Sequence, residues 1–166
     1  MRKNEHIEHL EDLMFFSTTE AKESLDEIIS LVEGNASGLK WSHKIDGSPA
    51  VVLYNNFKGL PKGSGVCLKY MNPEKCYRTN EEVEEQYGDR ETMCDMLQLC
   101  LILATQIPEG EAWQGDCLFT DKTLRKEKIN GEEFVIWQPN KVAYCAKAGS
   151  DDANAAEDAM LGIAFH

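Results

Sequence analysis

The stretch Ser42-His43-Lys44-Ile45-Asp46-Gly47-Ser48-Pro49-Ala50 brings a hydroxyl, an imidazole, an amine and a carboxylate close together in the chain. Its core has the form Lys-x-Asp-Gly. A free lysine amine titrates near about pH 10.4 and is a poor nucleophile at neutral pH. Burial or a nearby cation would lower that value and raise the neutral fraction, making Lys44 a candidate covalent nucleophile. Asp46, two residues on, points to the same side of an extended segment. It could orient the amine or contact a bound nucleotide. Gly47 would let a phosphate or ribose approach the backbone closely. The string alone also suits a surface hairpin with an Asp-Gly turn. Its context adds to it, because the apolar run Ala50-Val-Val-Leu-Tyr54 follows directly.

These residues need elements to hold them. Ile7, Leu10, Leu13 and Met14 recur at helical spacing. Ser17-Thr-Thr-Glu20 reads as a capping box for a second helix burying Ala21, Leu25, Ile28, Ile29 and Val32, with Gly34 at its C-cap. Leu39–Lys44, Ala50–Tyr54 and Val66–Met71 read as strands. Glu81–Tyr87 and Thr92–Gln106 read as helices, the second burying Met93, Met96, Leu97, Cys100, Leu101 and Ala104. Glu111–Phe119 should be a strand, and Thr120–Gly131 a charged excursion. Phe134–Trp137 and Lys141–Ala146 form a hairpin around Gln138-Pro139-Asn140. Gly149–Asp158 reads as polar and flexible, and Leu161–Phe165 as an apolar run.

Composition bounds the function. The chain has 166 residues, 42% hydrophobic and 28% charged, enough for one domain with a real core. No run approaches the roughly 18 apolar residues of a membrane span. With 29 acidic and 17 basic residues the net charge is −12, so the chain as a whole does not argue for nucleic-acid binding by counterion release. The six cysteines include no Cys-x-x-Cys pair, which excludes the usual zinc spacing. They read as reduced, mostly buried thiols, and the N-terminus lacks a secretory apolar segment. The expected location is cytoplasmic, the host cytoplasm for a viral protein. His6 and His9 lie at i, i+3, where a solvated helix face explains them better than a metal.

The Lys44-Ile45-Asp46-Gly47 string and the strand after it resemble motif I of the covalent nucleotidyltransferases, the ATP-dependent DNA ligases, RNA ligases and capping enzymes. Over most of its length the chain also resembles a family of uncharacterised ligase-like proteins of tailed bacteriophages. The stretches that carry this are His9-Leu-Glu-Asp-Leu13, the Lys-x-Asp-Gly-x-Pro-Ala core, Trp113-Gln-Gly-Asp-Cys-Leu-Phe-Thr120, Gln138-Pro-Asn140 with Tyr144, and Gly162-Ile-Ala-Phe-His166.

The resemblance implies an α+β fold, with an antiparallel-sheet nucleotidyltransferase core of the ligase adenylation type and two N-terminal helices. It implies one domain over 1–166, helical over 1–34 and sheet-rich over 39–166. Lys44 matches the nucleophile that attacks the α-phosphate, with Asp46 and Gly47 completing motif I. Lys69 matches a basic residue of motif Ia and a phosphate clamp. Gly115-Asp116 matches motif III, usually Gly-Glu, whose carboxylate faces the ribose or a metal. Asp116 is the candidate Mg²⁺ ligand. Trp137 or Phe134 falls where an aromatic stacks on the base, and Ser42 and His43 could read the adenine edge. Each has a plainer reading too: Lys69 as a solvated lysine, Asp116 as part of a bulge, Trp137 as core.

The resemblance has departures. Leu161-Gly162-Ile163-Ala164 lacks the carboxylate of motif IV, and the Lys-x-Lys strand of motif V would fall beyond His166. The expected function is an ATP- and Mg²⁺-dependent polynucleotide ligase-like nucleotidyltransferase forming a lysyl-AMP intermediate, with RNA or DNA ends as acceptors. The alternative is a catalytically inactive, ligase-derived nucleotide-binding or protein-interaction module. Transfer to a protein or small molecule is a third reading.

Overall fold

The computed structural model describes residues 17–34, 45–68 and 72–166. Lys44, His43, Ser42 and Lys69 lie outside the described residues, as do the expected first helix and the strand Leu39–Lys44. The chain divides into two compact units, Met1–Lys44 and Ile45–His166.

In the first unit, α1 (Thr18–Val32) forms at the expected place. Its first turn closes with the Ala21 amide on the Ser17 carbonyl at 3.0 Å. Gly34 takes φ +76°, the left-handed conformation that suits a glycine C-cap. The expected buried stripe holds only in part. Ala21 is buried, whereas Leu25, Ile29 and Val32 are 44%, 52% and 79% exposed.

The second unit is built on two antiparallel sheets. β1 (Ala50–Asn55), β2 (Ser64–Leu68), β3 (Cys76–Tyr77), β4 (Ala112–Thr120) and β8 (Leu161–Phe165) form the larger one, in the order β3-β2-β1-β4-β8. β5 (Arg125–Ile129), β6 (Glu132–Trp137) and β7 (Tyr144–Lys147) form the smaller one, in sequence order. Three helices complete the unit: α2 (Asn80–Tyr87), α3 (Glu91–Ala104) and α4 (Asp151–Asp158).

Strand alternation and helical periodicity meet in the main core. Val51, Leu53, Val66 and Leu68 on one face of the larger sheet pack with Met96, Leu97, Cys100, Leu101 and Ala104 of α3. All six α3 positions expected to face inward do so, with Met93 partly buried. A fully buried Leu97 contributes about 1.5–3 kcal/mol over an exposed one. On the opposite face lie Val52, Tyr54 and Cys67. The smaller sheet presents Val135 and Ala146 to Ala153 and Ala156 of α4, with Phe119 of β4 in the same cluster.

Three expectations are corrected. The charged excursion after Thr120 contains β5, whose five residues are all exposed. It pairs with β6 from Arg125 opposite Ile136 to Ile129 opposite Glu132. The polar stretch after Gly149 is the helix α4, capped by the Ser150 side chain accepting the Ala153 amide. The six cysteines are not all reduced, because Cys67 and Cys76 form a disulfide. They are direct cross-strand partners in the β2–β3 register. Cys94, Cys100 and Cys117 are buried thiols, and Cys145 is an exposed one.

Candidate functional site

The turn 45–49 lies against β4, whose register explains the contact. β1 and β4 pair antiparallel, with Ala50 opposite Asp116 and Val51 opposite Gly115. The chain entering β1 therefore runs along the continuation of β4. The Gly47 amide donates to the Asp116 carboxylate (Oδ2) at 3.2 Å. The Ser48 amide donates to the Cys117 carbonyl at 2.8 Å, and the Cys117 amide to the Pro49 carbonyl at 3.0 Å. The Ser48–Pro49 peptide is cis. Asp116 shares its sheet face with Ala50, Val52 and Tyr54 by strand alternation.

The smaller sheet holds the same turn from a second direction. The Asp46 amide donates to the Tyr144 hydroxyl at 2.9 Å, and that hydroxyl donates to the Asp46 carbonyl at 3.1 Å. The Asn140 side-chain amide also donates to the Asp46 carbonyl, at 3.2 Å. Asn140 is itself fixed, because its side-chain oxygen accepts the Val142 amide at 2.8 Å.

An aromatic stack backs Tyr144. Trp137 and Tyr144 are opposite one another in the β6–β7 register. Their rings stack at 6.3 Å with 19° between planes. Phe119 packs against Trp137 at 5.5 Å and 53°. The Trp137 indole N–H is buried with no hydrogen-bond acceptor among the described residues. Trp137 thus sits between Phe119 and Tyr144 as a link between the sheets. Phe134, the other aromatic considered for base stacking, is paired with Glu127 and Lys147 in the smaller sheet.

Of the residues singled out from sequence, the fold brings together Asp46, Gly47 and Asp116. Trp137 joins them only through Tyr144. The Asp116 carboxylate is half-buried. Beneath it, the Cys100 and Cys117 sulfurs are 3.8 Å apart. That hydrogen bond and burial push the Cys117 thiol well above the ordinary thiol range. Cys117 is thus a structural thiol and not a nucleophile. Near Ser48 and Pro49, the first turn of α3 (Glu91, Thr92, Met93) with Arg90 and Met96 lines a cavity of about 330 Å³. Among the described residues, no group of three or more His, Cys, Asp or Glu is placed to hold a metal ion.

Sequence reasoning left Tyr144 and Asn140 without roles. The Gln-Pro-Asn turn marked their neighbourhood, but their target lies 98 and 94 residues away in the chain. No local pattern carries that information.

The fold and site define an α+β protein with two antiparallel sheets that converge on one Asp-Gly turn. Residues 4–166 match the Family of unknown function (DUF6267), and the chain belongs to that family. No curated protein and no solved structure matches the chain. No helix among the described residues is long and apolar enough to cross a membrane.

Proposed function

We propose that this chain is a nucleotidyltransferase of the ATP-dependent ligase type, in which Lys44 becomes covalently joined to AMP. One observation carries the reading. The Gly47 amide meets the Asp116 carboxylate, so two segments 69 residues apart, matching motifs I and III, share one hydrogen bond. The antiparallel sheet architecture fits the ligase adenylation core that the resemblance implies.

In the proposed step, the neutral Lys44 amine attacks the α-phosphorus of ATP. A nitrogen–phosphorus bond forms, and the bond from the α-phosphorus to the oxygen bridging to the β-phosphate breaks. Pyrophosphate leaves with that electron pair, and the amine proton goes to solvent. Asp116 is a single carboxylate, so a Mg²⁺ fits here only as an ion already carried by the triphosphate. Bound in that way, it would offset charge on the phosphates. The AMP would then pass to an acceptor, proposed as an RNA or DNA end.

The test is intact mass after incubation with ATP and Mg²⁺. The expected result is a gain of one AMP in the wild type and none in Lys44→Ala. A folded wild-type chain without the adduct overturns the reading.

One observation favours the inactive alternative. At the position matching the motif IV carboxylate stands Leu161, followed by Gly162 where the motif also has glycine. The Leu161 side chain packs against the main core and supplies no carboxylate. A nucleotide-binding module without transfer would bind ATP yet release no pyrophosphate.

A further inference from the structure

We propose that Tyr144 and Asn140 are positioning residues for the Lys44 reaction, and that the smaller sheet acts in the reaction by holding the peptide group of Asp46. This rests on the reading of Lys44 given under the proposed function, and it names a part of the machinery that the motif residues do not include.

A short segment entering a strand has few hydrogen bonds of its own, so its backbone samples several conformations unless other groups hold it. The larger sheet holds Gly47, Ser48 and Pro49 through Asp116 and Cys117. The Asp46 backbone is bonded by Tyr144, which both accepts from the Asp46 amide and donates to its carbonyl, and by Asn140. The amide and carbonyl of one residue are thus bonded by the first residue of β7 and by Asn140 of the connection before it.

The holding group is itself rigid. Tyr144 stacks on Trp137, its cross-strand partner, and Trp137 packs on Phe119 of the larger sheet. Asn140 is tied to Val142. A hydroxyl on a packed ring, with a second donor beside it, is a preorganised support of the kind that keeps reacting groups aligned. Lys44 precedes Asp46 by two residues in the chain, so the bonds at Asp46 are a described hold on the segment that follows the lysine.

Two variants and two measurements test this. Tyr144→Phe keeps the ring and removes the hydroxyl. Asn140→Asp keeps the acceptor for the Val142 amide and removes the donor to Asp46. Residue-resolved hydrogen exchange should show the Asp46 amide losing protection in Tyr144→Phe, with the Gly47 amide unchanged. Adduct formation should slow about 10- to 100-fold in both variants at saturating ATP, with the ATP concentration for half-maximal rate nearly unchanged. A merely structural role would lower the melting temperature without this split. Wild-type-like rates in both variants, beside a wild-type adduct, overturn the positioning role alone. An unchanged Asp46 amide in Tyr144→Phe overturns it on structural grounds, whatever the activity. Absence of an adduct in the wild type overturns the nucleotidyl-transfer reading, and the positioning role falls with it.

Discussion

The Gly47 backbone lies so close to β4 that a Cβ added to it would stand 2.3 Å from the Cys117 carbonyl oxygen and 2.8 Å from the Asp116 Cβ. Both neighbours belong to the sheet, so neither can rotate away. The glycine is required by this contact and not by a left-handed φ. Its place is what allows the turn to bond with Asp116 and Cys117 together.

Gly47→Ala should therefore destabilise the protein by about 1–3 kcal/mol, the usual range for overpacking a tight site. Each kcal/mol lowers Tm by about 2–4 °C for a chain of this size. Gly59→Ala provides the contrast: nothing lies within 4 Å of its added Cβ, and its φ of +96° makes any cost one of backbone strain. Urea melts of the two variants should separate contact from conformation. A wild-type midpoint for Gly47→Ala would show that the turn can move off β4.

Asp116 combines a structural bond with a charge, and substitution can split the two. Asp116→Asn retains an oxygen that can accept the Gly47 amide, so stability should change little. Its loss of charge should raise the Mg²⁺ concentration needed for half-maximal adduct formation by about tenfold or more. Asp116→Ala removes the acceptor too and should lower stability as well. Mg²⁺ titrations of adduct formation beside melts of each variant read the two effects separately.

The thiols should fall into three classes. Cys145 is exposed and should react with an alkylating reagent in the folded protein. Cys94, Cys100 and Cys117 are buried and should react only after unfolding. Cys67 and Cys76 should react only after reduction. Mass counting of labels under native, denaturing and reducing conditions checks all three. Rapid labelling of four thiols in the native state would contradict the packing of α3 on β4.

Removing the disulfide should cost about 2–3 kcal/mol on the chain-entropy account, given a separation of nine residues. Cys76→Ser is the milder test, since Cys76 is half-buried and Cys67 fully buried. Urea midpoints with and without reductant should shift in the wild type and coincide in the variant.

Stability should fall in alkali. Burial, with a hydrogen bond to Tyr87, raises the Tyr77 phenol from its ordinary 10.0 to about 12. The unfolded chain releases this proton first, so the folded state binds more protons between those values. The contribution is full below about pH 10 and is lost as pH rises toward about 12. The raised Cys117 thiol acts with the same sign, beginning near the ordinary thiol pKa of about 8.5. Urea midpoints at stepped pH should decline from there, and Tyr77→Phe should flatten the upper part of the curve.

Elements with a buried face were legible in the sequence. α3 and β1 show it, because apolar residues at helical or alternating spacing record which side meets the core. β5 was not legible, since Arg125-Lys-Glu-Lys-Ile129 is exposed throughout and its pairing rests on backbone bonds to β6. α4 was missed although Ser150-Asp-Asp-Ala carried a capping signal. Its buried residues are two alanines, Ala153 and Ala156, too small to mark a stripe.

By itself the sequence determined the Asp-Gly turn before an apolar strand, the inward face of α3 and the net acidity. These are local properties, written in neighbouring residues. Only the tertiary structure decided that Gly47 meets Asp116, that Cys67 pairs with Cys76, and that Tyr144 and Asn140 hold Asp46. Each depends on strand register or on contact across a long stretch of chain. Register is set by the packing of whole faces, so no single segment states it in advance.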